Sequence, residues 1–176
     1  IRAISPNTRL LWREGELAEE NGPTLHRKTA DSPPFDEAVD GFIELFERAM
    51  TKRLPGDERF TVPLSGGRDS RHILLALNKL GFKPAACPTL AYRPPATNED
   101  MQIAGRLAAA LNIQHVQIDC PASWFDAVKK DVHLTHFCGG GHSWSLPLAA
   151  YLGENVTAAY DGLAGSVISG GFKQSE

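Results

Sequence analysis

The sequence predicts an α/β fold in which a parallel sheet carries helices on both faces. Segments with apolar residues at helical spacing alternate along the chain with short apolar runs that are typical of strands. Strands that are separated by helices in this way pair in parallel. The composition, with 42% hydrophobic and 22% charged residues and a net charge of -3, is that of a globular domain rather than a disordered chain.

The first clearly patterned element is a helix over residues 35–53. Pro33 and Pro34 precede it, and apolar side chains recur at helical spacing from Phe35 to Met50. Packing in the core explains its aromatic stripe better than ligand binding does.

Residues 1–32 are polar and rich in turn formers, which predicts a tail or linker with a strand or two. We therefore expect two regions, residues 1–32 and residues 33–176.

Strands and helices alternate through the rest of the chain. The predicted strands cover residues 60–64, 82–90, 115–118 and 156–160. The predicted helices cover residues 70–80, 101–111 after a polar cap at 97–100, 123–130 and 142–152.

Charge and hydropathy limit the classes of partner. A net charge of -3 provides no general basic surface for nucleic acid, and the apolar runs are far shorter than a bilayer span. We expect no nucleic-acid or membrane partner and a cytoplasmic location. Cys87, Cys120 and Cys138 are widely spaced and odd in number, which favours reduced thiols over a disulfide framework.

The segment from Ser65 to Ser70 has the features of an anion-binding loop. A strand runs into Gly66 and Gly67 and a helix follows, so backbone amides gather before a helix amino terminus. Glycine allows a phosphate to approach the backbone closely. Ser65 and Ser70 add hydroxyl donors. Asp69 cannot bind phosphate directly because both groups are anions, so it suits a magnesium ligand that bridges to phosphate through the metal.

A second interpretation fits the spacing equally well. A glycine pair after a strand also forms a simple tight turn before a packed helix, and spacing alone does not decide between the two. The kinase-type phosphate loop and the dinucleotide fingerprint are both missing from the sequence.

Ser65-Gly66-Gly67-Arg68-Asp69-Ser70 resembles the Ser-Gly-Gly-x-Asp-Ser pyrophosphate loop of the N-type ATP pyrophosphatases. Residues 161–172, from Asp161-Gly162 to Gly171-Phe172, resemble the second loop of the asparagine synthetase and β-lactam synthetase group. The similarity extends from about residue 35 to residue 172. It implies a fold like that of the adenine nucleotide alpha hydrolases, the PP-loop ATPases.

The resemblance also implies an activity that uses ATP and Mg²⁺ to activate a carboxylate, releasing AMP and pyrophosphate. The implied nucleotide-binding residues are Leu64, Ser65, Gly66, Gly67, Asp69, Ser70, Leu90 and Gly162. Leu64 and Leu90 would frame the adenosine through backbone atoms, and Gly162 would face the α-phosphate or ribose. Asp69 would bind Mg²⁺, with Ser166 at the second ligand position of the family.

The implied partners are a small-molecule carboxylate and an amine, or ammonia derived from glutamine. No residue is assigned a catalytic role, and a homo-oligomer is left open. Residues 1–17 are similar to the closing strands of a glutaminase-like domain. We therefore expect residues 1–32 to be the end of a truncated glutaminase-like domain. We expect residues 33–176 to be a synthetase-domain fragment that is truncated at its carboxyl terminus.

The second loop departs from the family pattern. Ser166 and Val167 replace an Asp-Glu pair, and Leu163 replaces a glutamate. Serine is a weaker, neutral ligand for magnesium. The alternative is therefore a degenerate, non-catalytic nucleotide-binding module of the same fold.

A cluster at residues 133–142 offers a rival site. His133, His136, Cys138 and His142 have side chains that can bind zinc, but no second paired half accompanies them. In the resembled family this region lines the carboxylate pocket, which implies a substrate contact for His136 or His142.

Overall fold

The computed structural model of the protein describes residues 7–22, 33–93, 96–139 and 141–162. The chain divides into two compact units, Ile1–Asp40 and Gly41–Glu176. The boundary expected between residues 32 and 33 stays a prediction.

The first unit contains an antiparallel hairpin of β1 (Thr8–Arg13) and β2 (Glu16–Asn21). The two residues of its turn, Glu14 and Gly15, have positive φ angles of 52° and 88°. Two consecutive positive φ angles make a turn whose twist matches that of the strands, and glycine adopts this conformation without strain.

Helix α1 (Phe35–Thr51) confirms the first predicted helix and ends two residues earlier than expected. Asp36 and Glu37 lie in its first turn and Arg48 lies in its last. Both placements complement the helix dipole.

The second unit has two short pairs of parallel strands. Strand β3 (Phe60–Thr61) pairs with β6 (Ala158–Ala159), and β4 (Cys87–Ala91) pairs with β5 (His115–Asp119). The α/β class is therefore confirmed, with parallel strand pairs and helices among the described residues.

Hydrogen bonds also join the two pairs, although they form no regular ladder. The amide of Ala85 donates to the carbonyl of Phe60 at 2.9 Å, and the amide of Leu64 donates to the carbonyl of Pro88 at 2.9 Å. A parallel ladder would need a return bond from Pro88 to Val62, and proline has no amide hydrogen. The missing amide of Pro88 explains why no regular ladder joins β3 to β4, and β3 is shorter than the predicted strand over 60–64.

Four α-helices of the second unit follow the predicted order. They are α2 (Arg68–Lys79), α3 (Glu99–Ala110), α4 (Trp124–Thr135) and α5 (Leu146–Asn155), the last preceded by a 3-10 turn at Ser143–Ser145.

The predicted end of α4 at residue 130 was wrong. The helix begins after Ser123, whose hydroxyl accepts a hydrogen bond from the Asp126 amide, and it continues to Thr135. It ends where His136 adopts the left-handed conformation with φ 49°.

The core of the second unit lies between α2 and the strands. Val62, Leu74, Leu77 and Cys87 are fully buried. Burial raises the pKa of Cys87 to about 12, so this thiol stays protonated. In the described part of the chain, no helix is both long enough and apolar enough to cross a membrane.

Candidate nucleotide-binding site

A cavity of 580 Å³ opens where β3 and β4 end and α2 begins. Most of the residues that the sequence predicts for nucleotide binding line it: Leu64, Ser65, Gly67, Asp69, Ser70, Leu90 and Gly162. Gly66 lies in the same loop. Residues that are far apart in the sequence are therefore brought to one site.

The loop leads directly into the amino terminus of α2. Gly67 is the residue before the helix and supplies no side-chain cap, while Asp69 and Ser70 lie in the first turn. The first amides of a helix have no partner within the helix, and their partial positive charge attracts anions.

The three amides before the helix were expected to gather at one anion site, but each of them donates to a different side chain of the protein. Gly66 donates to Asp100 Oδ1 at 2.8 Å, Gly67 donates to Ser65 Oγ at 3.1 Å, and Ser65 donates to Ser70 Oγ at 3.2 Å. These amides have partners within the protein. They are not shut off from solvent, because Gly67 is exposed and Ser65 is half-buried at the cavity.

Gly162 lies directly against the start of α2. A Cβ atom placed on Gly162 would be 2.8 Å from the amide nitrogen of Ser70 and 3.0 Å from the carbonyl carbon of Asp69. Only glycine fits at that distance without a shift of the backbone. The beginning of the second sequence motif thus contacts the first.

The backbone of Leu64 is held from two sides. Its amide donates to Pro88, and its carbonyl accepts a hydrogen bond from the buried hydroxyl of Thr89 at 2.7 Å. Thr89 thus occupies one of the two lone pairs of the Leu64 carbonyl oxygen. The predicted roles of Leu64 and Leu90 stay predictions.

His115 also contacts Thr89, the residue that holds the Leu64 carbonyl. Its Nε2 lies 2.9 Å from Thr89 Oγ1, whose single hydrogen is donated to Leu64, so Nε2 must carry the hydrogen of this contact. Burial lowers the pKa of His115, which favours the neutral ring.

Thr89→Val is expected to lower the free energy of unfolding by about 1–3 kcal/mol, because it leaves the buried Leu64 carbonyl without that hydrogen bond. Thr89→Ser keeps the hydroxyl and is the matched control. Urea unfolding measures both variants. Equal stability of Thr89→Val and the wild type would contradict the contribution of this hydrogen bond.

The cavity offers oxygen ligands of the kind that Mg²⁺ prefers. Asp69, Asp100 and Asp161 all line it. Among the residues that the structure describes, no group of three or more His, Cys, Asp or Glu side chains is close enough to hold a metal ion by itself. Ser166 lies outside the described residues. The donors present suit an ion that takes one or two carboxylates and completes its coordination with water and phosphate.

Two histidines of the cluster predicted at residues 133–142 belong to different parts of the fold. His142 lines the cavity, where its ring centroid lies 6.1 Å from that of Trp144. His136 instead ends α4.

Sequence reasoning missed Asp100 and Trp144. Asp100 belongs to the stretch 97–100, which the sequence indicates only as a polar helix cap. For Trp144 the sequence carried no signal.

A family model described as asparagine synthase matches residues 41–149, which is more than half of the chain. The chain belongs to the asparagine synthase family. The match includes the loop at Ser65–Ser70 and ends before Gly162. Membership supports an ATP-dependent, amide-forming synthetase of the ligase class in general terms. No curated protein matches the chain significantly.

Proposed function

We propose that this chain binds ATP and activates a carboxylate as an acyl-adenylate for amide formation, with release of pyrophosphate and then AMP. The observation that carries the proposal is the contact of Gly162 with Asp69 and Ser70, which belong both to the Ser65–Ser70 loop and to the first turn of α2. Two separate motifs that resemble the family meet there at a helix amino terminus.

The finer fold belongs to the same proposal. We expect the strands to form one parallel sheet in the order β6-β3-β4-β5, with helices on both faces, as in the PP-loop ATPases. The hydrogen bonds from Ala85 to Phe60 and from Leu64 to Pro88 support it, since they join the two observed pairs.

In this proposal the whole nucleotide lies in the cavity. Its volume of 580 Å³ suits a ligand of nucleotide size. The first amides of α2 and the hydroxyls of Ser65 and Ser70 bind pyrophosphate oxygens. Gly162 lets the α-phosphate or ribose approach, and Leu64 and Leu90 frame the adenosine.

Asp69 would hold Mg²⁺, with Ser166 at the second position. When bound, the ion neutralises charge on the pyrophosphate. Asp69 suits this role because it lies in the first turn of α2, at the cavity and only partly buried.

The chemistry needs no nucleophile from the protein. A carboxylate oxygen of the substrate attacks the α-phosphorus, and the bond to the bridging oxygen breaks as pyrophosphate leaves. An amine, or ammonia derived from glutamine, then attacks the acyl carbon. The bond from that carbon to the AMP oxygen breaks, AMP leaves, and the nitrogen loses a proton to solvent. The chain contributes alignment of the two reactants and hydrogen bonds to the leaving group.

The test has two parts. Fluorescence of Trp144, recorded after Trp12 and Trp124 are replaced by phenylalanine, should change on addition of Mg-ATP because Trp144 lines the cavity. Exchange of labelled pyrophosphate into ATP, measured in the full-length protein with a panel of carboxylic acids, should then depend on one acid. Binding without exchange across the whole panel would contradict the synthetase activity.

A non-catalytic nucleotide-binding module is the second candidate, favoured by Ser166, Val167 and Leu163 in the second loop. Ser166→Asp would restore a carboxylate at the second metal position. In a degenerate chain we expect this substitution to create magnesium-dependent pyrophosphate release where the wild type has none. Ser166→Asn, which adds similar volume without charge, is the control and should create no turnover. Measurable turnover in the wild type would contradict the degenerate interpretation.

A further inference from the structure

Asp100 lines the cavity, although it is not among the residues predicted for nucleotide binding, and it contacts the loop at Ser65–Ser70. Asp100 is the second residue of α3, and its Oδ1 accepts a hydrogen bond of 2.8 Å from the Gly66 amide. We infer that Asp100 is a positioning residue, which holds Gly66 and thereby sets the shape of the loop that binds pyrophosphate. This inference rests on the proposed function.

The contact leaves little freedom to either partner. A Cβ atom on Gly66 would lie 2.5 Å from Asp100 Oδ1, 3.0 Å from Ile103 Cδ1 and 3.4 Å from the Cα of Asp100. The first turn of α3 is thus packed directly on Gly66. A shift of Asp100 therefore has to move the loop or break the hydrogen bond.

The start of α3 is itself anchored. Asn98 Oδ1 accepts from the Tyr92 amide at 2.7 Å, and Asn98 Nδ2 donates to the Tyr92 carbonyl at 2.9 Å. Asn98 is the residue before α3, and its side chain makes no cap bond to the helix. Its two bonds tie the helix start to the end of β4. The backbone that carries Asp100 is therefore held in place where its side chain binds Gly66.

Two effects of the Asp100 carboxylate on nucleotide affinity have opposite signs. Its charge repels phosphate, but the residue is exposed, and water screens this repulsion. Its charge-assisted hydrogen bond fixes Gly66 between Ser65 and the start of α2. Loss of that bond would misplace the Ser65 hydroxyl and the first helix amides together. Positioning therefore outweighs repulsion.

Two substitutions separate these effects. Asp100→Asn keeps an oxygen acceptor for Gly66 and removes the charge, whereas Asp100→Ala removes both. Glu99→Ala is the matched control, because Glu99 is exposed in the same first turn and contributes the same charge to the helix amino terminus.

The measurements are the Mg-ATP dissociation constant, from Trp144 fluorescence, and the NMR signal of the Gly66 amide. Asp100→Ala is expected to weaken binding about 10-fold, the scale of one hydrogen bond to a charged group. Asp100→Asn should stay within about threefold because the acceptor is retained, and Glu99→Ala should match the wild type. Exchange of the Gly66 amide with solvent should be faster in Asp100→Ala alone.

Several results would overturn the inference. Wild-type affinity in Asp100→Ala would do so, and tighter binding in both Asp100 variants would show that repulsion dominates. An unchanged Gly66 signal in Asp100→Ala would show that the contact is absent in solution. If the wild type itself bound no Mg-ATP, the proposed function would fail and the nucleotide role of Asp100 with it. The NMR signal of the Gly66 amide would then test only the hydrogen bond between Gly66 and Asp100.

Discussion

Replacing Gly162 with alanine is expected to reduce ATP-dependent pyrophosphate release about 100-fold, the loss that follows when reacting groups are displaced by about 1 Å. The added methyl group would lie 2.8 Å from the Ser70 amide nitrogen and 3.0 Å from both the carbonyl carbon and the Cβ of Asp69. Two of these atoms belong to the backbone at the start of α2, which cannot rotate away. Either the second loop or the helix terminus must move.

Gly153→Ala provides the control for this prediction. Gly153 lies in α5, and a Cβ there meets no heavy atom within 4 Å. Alanine at such a helix position should preserve activity and stabilise the fold slightly. Pyrophosphate release and thermal unfolding should be measured for both variants. Full activity in Gly162→Ala would show that Gly162 does not approach the reacting groups.

Local patterns were sufficient to predict most elements of the second unit. The helices α2 and α3 have apolar faces and turn residues at their ends, and each lies within two residues of its predicted bounds. Strand β5 was likewise expected over 115–118 and ends at residue 119. These elements follow from contacts close in sequence, which a periodicity can show.

Other features depended on contacts that no local pattern contains. The predicted strand over 82–90 is regular only from Cys87, because regular pairing depends on its neighbouring strands rather than on its own composition. The hydrogen bond between Gly66 and Asp100 joins positions 34 residues apart. The order of strand, glycine pair and helix start suggested an anion loop at Gly66, but only the fold shows that the Asp100 carboxylate accepts the hydrogen bond of its amide.

The motifs were more informative about the site than the spacing was. The resemblance predicted Gly162, and both the loop pattern and the resemblance predicted Ser65 and Asp69. The structure places all three at one cavity. Their ligand roles stay predictions. The Ser65–Ser70 spacing alone left a simple turn equally open. The contact of Gly162 with Ser70 adds a second, independent segment, which a simple turn does not require.

Asp69→Asn should lower Mg²⁺-dependent activity while keeping or raising the affinity for metal-free ATP. The substitution keeps the volume and removes the charge. Mg-dependent pyrophosphate release should fall about 100-fold, the scale of loss when one preorganised electrostatic group is removed from a site. Metal-free ATP should bind as tightly as to the wild type or more tightly, because a carboxylate beside the phosphates is gone.

These opposite effects on Mg²⁺-dependent activity and on metal-free ATP affinity distinguish a metal ligand from a structural residue. A general disturbance of α2 would weaken ATP both with and without Mg²⁺, whereas loss of a metal ligand weakens only the metal-dependent binding. Asp57→Asn serves as the control, because Asp57 is exposed in the turn before β3. Titration of Trp144 fluorescence with ATP, with and without Mg²⁺, separates the cases. An undiminished Mg²⁺ dependence in Asp69→Asn would move the metal site to another carboxylate of the cavity.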